Sequence, residues 1–238
     1  MATWIAHLRL AEDLLQMIPN LDPAQFAMGN IAPDSGVPDE KWEHFDPPKE
    51  VTHFLRHSTS ESDIYDLEFY RKYLAHIDVQ NVASFSLRFG YFVHLLADRL
   101  WSLEIGTKLK AKFPDELKTD PGFIWKVKDD WYGLDFIYLR DHPDSLFWRV
   151  FLHAQPDDVD LDFIPKPALL HQFKYIKTLY QRQDEEIQEM YKRPYIYLSQ
   201  AEMDAFVSDS ARLIYKVYQS LWPTPPDLAG KNSALDVI

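Results

Sequence analysis

Two residues of the run GYFVHLLADRLW, Gly90 to Trp101, are of types that do chemistry: His94 and Asp98. They stand four apart, so on a helix they share one face. An imidazole and a carboxylate one turn apart can grip a single metal ion, or simply bond to each other in a core. Gly90 lies one turn earlier on the same stripe. A glycine inside a helix costs about 1 kcal/mol relative to alanine, which predicts that something bulky or a neighbouring backbone comes close there. The chain has no cysteine, so disulfides and thiolate chemistry are excluded and any metal must be held by histidines and carboxylates. Three more fragments carry such groups: His7 in IAHLRLAEDLL, Asp34 in GNIAPDS and His53 in KEVTHF. Taken singly, they read as an interfacial histidine, a turn or helix-capping aspartate after Pro33, and a loop histidine.

The elements that must position these groups are helical. Trp4, Leu8, Leu10, Ala11, Leu14, Leu15 and Ile18 form an apolar stripe that Pro19 should end, and Ile64 to His76 repeats the pattern. Val82 to Gly106 reads as a long central helix. Further helices are expected over Phe123 to Arg140, Leu146 to His153, Pro167 to Lys192 and Gln200 to Trp222. No clear run alternates with period two, and Asn-Gly and Asp-Gly hairpin turns are absent, so the expected class is all-α. The long stretch from Asn30 to Ser60 is irregular and proline-bearing, and loops of this length inside a compact domain are usually functional or disordered. Its aromatics Trp42, Phe45 and Phe54 argue against disorder. We read one helical domain over residues 1–222 and a Pro-rich tail over 223–238 that drapes over the surface or stays mobile.

With 238 residues, 46% of them hydrophobic, the chain can bury one sizeable core. A net charge of −12 disfavours duplex nucleic acid and anionic membranes as partners. The amino-terminal residues lack a basic region, and Arg9, Glu12 and Asp13 interrupt what would be a signal-peptide core, so the expected location is cytoplasmic. The apolar run Val82 to Trp101 holds Arg88, His94, Asp98 and Arg99, which argues for a helix buried in protein and against an integral membrane segment. Oligomeric state is not legible.

The fragments taken in order, HLxxAE, GNIAPD, a THF-type histidine and GYxVHLLxDxLW, resemble the zinc-dependent phospholipase C family, in particular its cytosolic members. The match covers roughly the first 105 residues and thins afterwards to DWYGLDFIYL. The resemblance implies a helical fold with zinc ions between helices, like that of the related single-strand-specific zinc nucleases, in which a three-zinc cluster hydrolyses phosphodiesters. Carried over by position, Asp34, His53, His94 and Asp98 are the four ligands of one ion, and His7 is a ligand of a second that Asp98 bridges. Asp34 is also the candidate base. Two departures stand out. The secreted enzymes bind metal through an amino-terminal Trp, whereas here Met1, or Ala2 after processing, precedes Trp4. A later His-x-x-x-Glu helix is also missing, with Asp130, Asp135 and His57 as poor substitutes, so one or two Zn²⁺ ions are expected and not three.

A divalent ion in such a site polarises a phosphoryl oxygen and lowers the pKa of bound water towards about 7. Arg56, Arg88 and Arg99 are candidate phosphate partners, although each taken alone reads first as an ordinary surface or structural ion pair. The acidic patch Asp157 to Asp162 lacks the spacing of a calcium loop and reads as a solvated turn. Two functions follow. One is a metal-dependent hydrolase of a small phosphoester or phospholipid head group, and the other is a non-catalytic helical domain retaining a structural metal or only a polar core.

Overall fold

A computed structural model describes residues 1–40, 44–56, 61–156, 159 and 161–238. Helix α1, Trp4–Met17, begins where the Thr3 hydroxyl accepts the Ala6 N–H and ends just before Pro19. Asp22 caps α2, Pro23–Ile31, with proline at its first position. The sequence reading assigned no helix here, because Phe26 through Ile31 are all buried and leave no polar face to set a period. A two-residue antiparallel ladder follows, β1 (Val37–Pro38) on β2 (Phe45–Asp46), then α3, Lys49–Thr52.

Helix α4, Asp66–Phe69, runs on through a π turn at Tyr70–Leu74. The central helix α5, Val82–Trp101, is capped by the Asn81 side chain and continues through a second π turn, Ser102–Gly106, into α6, Thr107–Lys112. The short α7, Pro114–Thr119, precedes α8, Phe123–Asp141. The helix expected over Leu146 to His153 is present as a short π-helix, Phe147–Phe151. The helix expected over 167–192 is two: α9, Lys166–Tyr180, and α10, Glu185–Met190. The break is local chemistry, since Asp184 accepts from the Ile187 N–H and from Arg182, and so starts a new helix. Helix α11, Gln200–Leu221, opens on a reciprocal capping box between Ser199 and Glu202.

These helices wrap α5, which is buried along most of its length. Trp101 meets Trp131 of α8 and Phe206 of α11 edge-on, at ring-centre distances of 5.0 and 4.9 Å. On the other side, α2 crosses α5 backbone to backbone at Gly29 and Gly90. A Cβ added at Gly90 would sit 2.4 Å from the Phe26 carbonyl oxygen, so the glycine answers a close backbone approach. The Pro-rich tail is seated more firmly than a surface drape. Leu67 N–H donates to the Asn232 carbonyl and Ala234 N–H to Asp66 Oδ1, with Ser233 and Ala234 fully buried. Among the described residues no helix is long and apolar enough to cross a membrane.

Candidate metal centre

Four elements deliver the site. His94 and Asp98 project from α5, and His7 from α1. Asp34 closes a short 3₁₀ turn after α2, and His53 follows α3 directly. The structure brings all five together in the core. His7, His94 and Asp98 have side chains with no solvent exposure, while His53 and Asp34 retain 2% and 6%.

Four donor atoms face one another. His53 Nε2 lies 3.2 Å from His94 Nε2, 3.3 Å from Asp34 Oδ1 and 3.4 Å from Asp98 Oδ2, and His94 Nε2 lies 3.5 Å from Asp98 Oδ2. Zinc bonds of 2.0–2.2 Å in a tetrahedron set ligand atoms roughly 3.3–3.5 Å apart, the range of these four separations, while Asp34, His53 and His94 as a group lie within 4.8 Å of one another. The outer nitrogens settle which atoms carry protons. His94 Nδ1 is 2.7 Å from the Asn30 carbonyl oxygen, which can only accept, so neutral His94 keeps a bare Nε2. His53 Nδ1 is 2.9 Å from the Thr52 hydroxyl, which in turn reaches the Lys49 carbonyl. The consistent chain runs His53 N–H to Thr52 O–H to carbonyl, leaving His53 Nε2 bare as well. Two nitrogen lone pairs and two carboxylate oxygens therefore converge, a set that fits a cation.

The electrostatics agree. Burial alone would raise the carboxyl pKa values, yet hydrogen bonding to His53 and the nearness of His94 hold Asp34 low. The chain's amino terminus, His94, His53 and His7 hold Asp98 well below the carboxylate range. Burial disfavours charge on His53, but a proton on its Nε2 would lie between Asp34 and Asp98, which raises its pKa, so without metal a proton competes with a cation for the same point. Burial, helped by His94, pushes His7 down to about 4, so His7 is neutral at pH 7.

His7 sits on the other edge of Asp98. Its ring stacks on His94 with centres 3.9 Å apart, and its Nε2 is 3.3 Å from Asp98 Oδ1 but misaligned for a hydrogen bond. The Ala2 N–H donates to that same oxygen at 2.8 Å. His7, His94 and Asp98 thus form a second group whose donor atoms lie within 4.8 Å of one another.

Other sequence candidates are elsewhere. Arg56 pairs with Glu68 of α4, Arg88 donates to Ser84 one turn back on α5, and Arg99 donates to the Ile64 carbonyl. None of the three lines the cavity beside the cluster. Asp130 accepts the Ile196 and Tyr197 N–H groups, and Asp135 the hydroxyls of Thr3 and Tyr180, so both are spent on structure. His57 and most of the patch Asp157 to Asp162 lie outside the described residues.

Residues not anticipated complete the surroundings. The Trp4 indole donates to Asp34 Oδ2 at 2.8 Å, Asn30 and Thr52 orient the imidazoles, and the Tyr91 hydroxyl donates to the Thr52 carbonyl. Asn30 belongs to the GNIAPDS fragment, so its neighbourhood was visible though its role was not. A cavity of about 400 Å³ opens beside Asp34, His53 and Trp4 and runs between α8 and α9. Comparison with known protein families, with curated proteins and with solved structures finds no match for this chain.

Proposed function

We propose that this chain is a metal-dependent hydrolase of phosphoesters, of the zinc-dependent phospholipase C type. One observation carries the reading: His53 Nε2 has the His94 nitrogen and one oxygen each of Asp34 and Asp98 at 3.2–3.4 Å, beside an open cavity. Asp34, His53, His94 and Asp98 would hold one Zn²⁺, and His7 with the outer oxygen of Asp98 a second. A divalent ion supplies polarisation of a phosphoryl oxygen and acidification of a water.

The chain's own residues do the rest. Asn30 and Thr52 fix the imidazole tautomers so that Nε2 faces inward. Trp4 holds one oxygen of Asp34, turning the other towards His53. Of the five cluster residues only Asp34 and His53 line the cavity, which makes Asp34 the carboxylate that an entering water meets and the candidate base. His7, His94 and Asp98 on α1 and α5 have no solvent exposure, so among the described residues the cavity meets the cluster at Asp34 and His53.

The test is metal content and hydrolysis measured together. Purified, unchelated protein is expected to carry one or two equivalents of zinc and to cleave bis-p-nitrophenyl phosphate, with activity lost to chelator and restored by Zn²⁺ or Mn²⁺. Activity that survives exhaustive chelation refutes the mechanism. Stoichiometric metal without hydrolysis replaces it with a structural metal site.

A further inference from the structure

We propose that the ester this centre cleaves carries an aromatic ring, held between the aromatic walls of the cavity while the phosphate reaches the metal ligands. This rests on the reading of the cluster as a phosphoesterase centre. The wall begins at the ligands themselves. Trp4, whose indole N–H is on Asp34, packs against Tyr132 at 5.7 Å and edge-on against Tyr175 at 5.8 Å. Phe45 of β2 and Trp125 of α8 extend the lining outwards. Trp125 is 65% exposed, Phe45 40% and Tyr175 38%, so a ring entering here would cover aromatic surface that the fold leaves accessible.

Charge separates a ring from the other guests that such walls take. An aromatic box also suits an organic cation, but a cation needs unpaired carboxylates nearby. Of the three carboxylates on the lining, Asp34 belongs to the cluster, and Asp129 and Glu186 are bonded to Arg193 and Arg182. With Asp129 and Glu186 paired, these walls favour a neutral ring on the phosphoester. Size separates a ring from a lipid: about 400 Å³ is near the lower end for small-molecule sites and suits one ring and its phosphate, not paired acyl chains.

The experiment uses the zinc-loaded full chain. Binding of phenylphosphonate and of methylphosphonate is measured by calorimetry. Hydrolysis of bis-p-nitrophenyl phosphate is compared with that of methyl p-nitrophenyl phosphate, which has the same leaving group but one ring fewer. The member of each pair with the additional ring is expected to be favoured roughly fivefold or more, in Kd and in kcat/KM. Trp125→Ala, which removes a side chain that is 65% exposed, and Tyr175→Ala should each shrink that ratio, with melting temperatures measured alongside to show that both fold. Equal values for the two members of each pair, a ratio unchanged in both variants, or faster cleavage of a short-chain phosphatidylcholine than of either aryl ester overturns the aromatic substrate and leaves the phosphoesterase reading standing. Failure to bind either phosphonate or cleave any ester overturns both.

Discussion

Replacing Gly90 by alanine tests whether the α2–α5 crossing sets the geometry of the centre. The new methyl carbon would lie 2.4 Å from the Phe26 carbonyl oxygen and 3.1 Å from both the Asn30 nitrogen and the Gly29 Cα, where contacts under 3.0 Å essentially never occur. All three neighbours are backbone of α2, so relief requires the helices to part. Asn30 would move with α2, and its carbonyl is the acceptor 2.7 Å from His94 Nδ1. Forced overpacking costs about 1–3 kcal/mol and a lost hydrogen bond about 1, against a gain of about 1 from replacing a helical glycine. The net is a loss of roughly 2 kcal/mol, or about 5 °C in Tm for a domain of this size. Zinc affinity should also fall, by about 10–100-fold, because His94 loses the partner that fixes its tautomer. Urea unfolding of the metal-free protein reads the first effect, and competition with a chromophoric chelator reads the second. Gly106→Ala is the control, since its Cβ would meet nothing closer than 3.7 Å and it should be neutral or stabilising. If Gly90→Ala is as stable as the parent and binds zinc as tightly, the crossing does not position His94.

Zinc at a hundred times its Kd should stabilise the parent by roughly 3 kcal/mol, so chelation lowers Tm, while His94→Ala melts lower and responds little to chelator; equal responses place the metal elsewhere. In the metal-free protein His7 stays neutral down to about pH 4, whereas the unfolded chain takes up its proton near 6.5. Stability should therefore fall by up to about 3 kcal/mol as pH drops through that window, and a His7→Gln variant should show a flatter acid limb in denaturant titrations. Asp66 has the opposite sign, because burial raises its pKa to about 7 against an ordinary 3.8, so the fold keeps a proton that the unfolded chain releases. Its contribution is lost as pH rises from about 4 to 7. Asp66→Asn should gain on the parent across that range by up to about 4 kcal/mol, and unfolding curves at pH 5 and pH 8 that differ by the same amount in both proteins would refute this.

The contribution of the sequence alone was largest where neighbours along the chain decide the outcome. The apolar stripe of Trp4 to Ile18 stopping at Pro19, the long buried run from Val82, and the shared face of His94 and Asp98 all follow from a 3.6-residue period and are all present. Gly90 also signalled a close approach, by something bulky or by a backbone, though not that the neighbour is Gly29 of a helix whose all-round burial erased its period. How close His7, Asp34 and His53 come to the pair on α5 was suggested by resemblance and not by spacing. Their separations depend on how three turns and a two-strand ladder bring distant segments to one point. The Asn30 carbonyl on His94, the Trp4 indole on Asp34 and the walls of Tyr132, Tyr175 and Trp125 had no local signature. Each is an ordinary residue in its own helix and becomes part of the site only through packing with another. The same holds for Arg56, Arg88 and Arg99, which sequence offered to a phosphate and the fold gave to Glu68, Ser84 and the Ile64 carbonyl. Periodicity fixes which face a side chain occupies, whereas what that face meets is set by long-range contacts whose chain path no window of sequence contains.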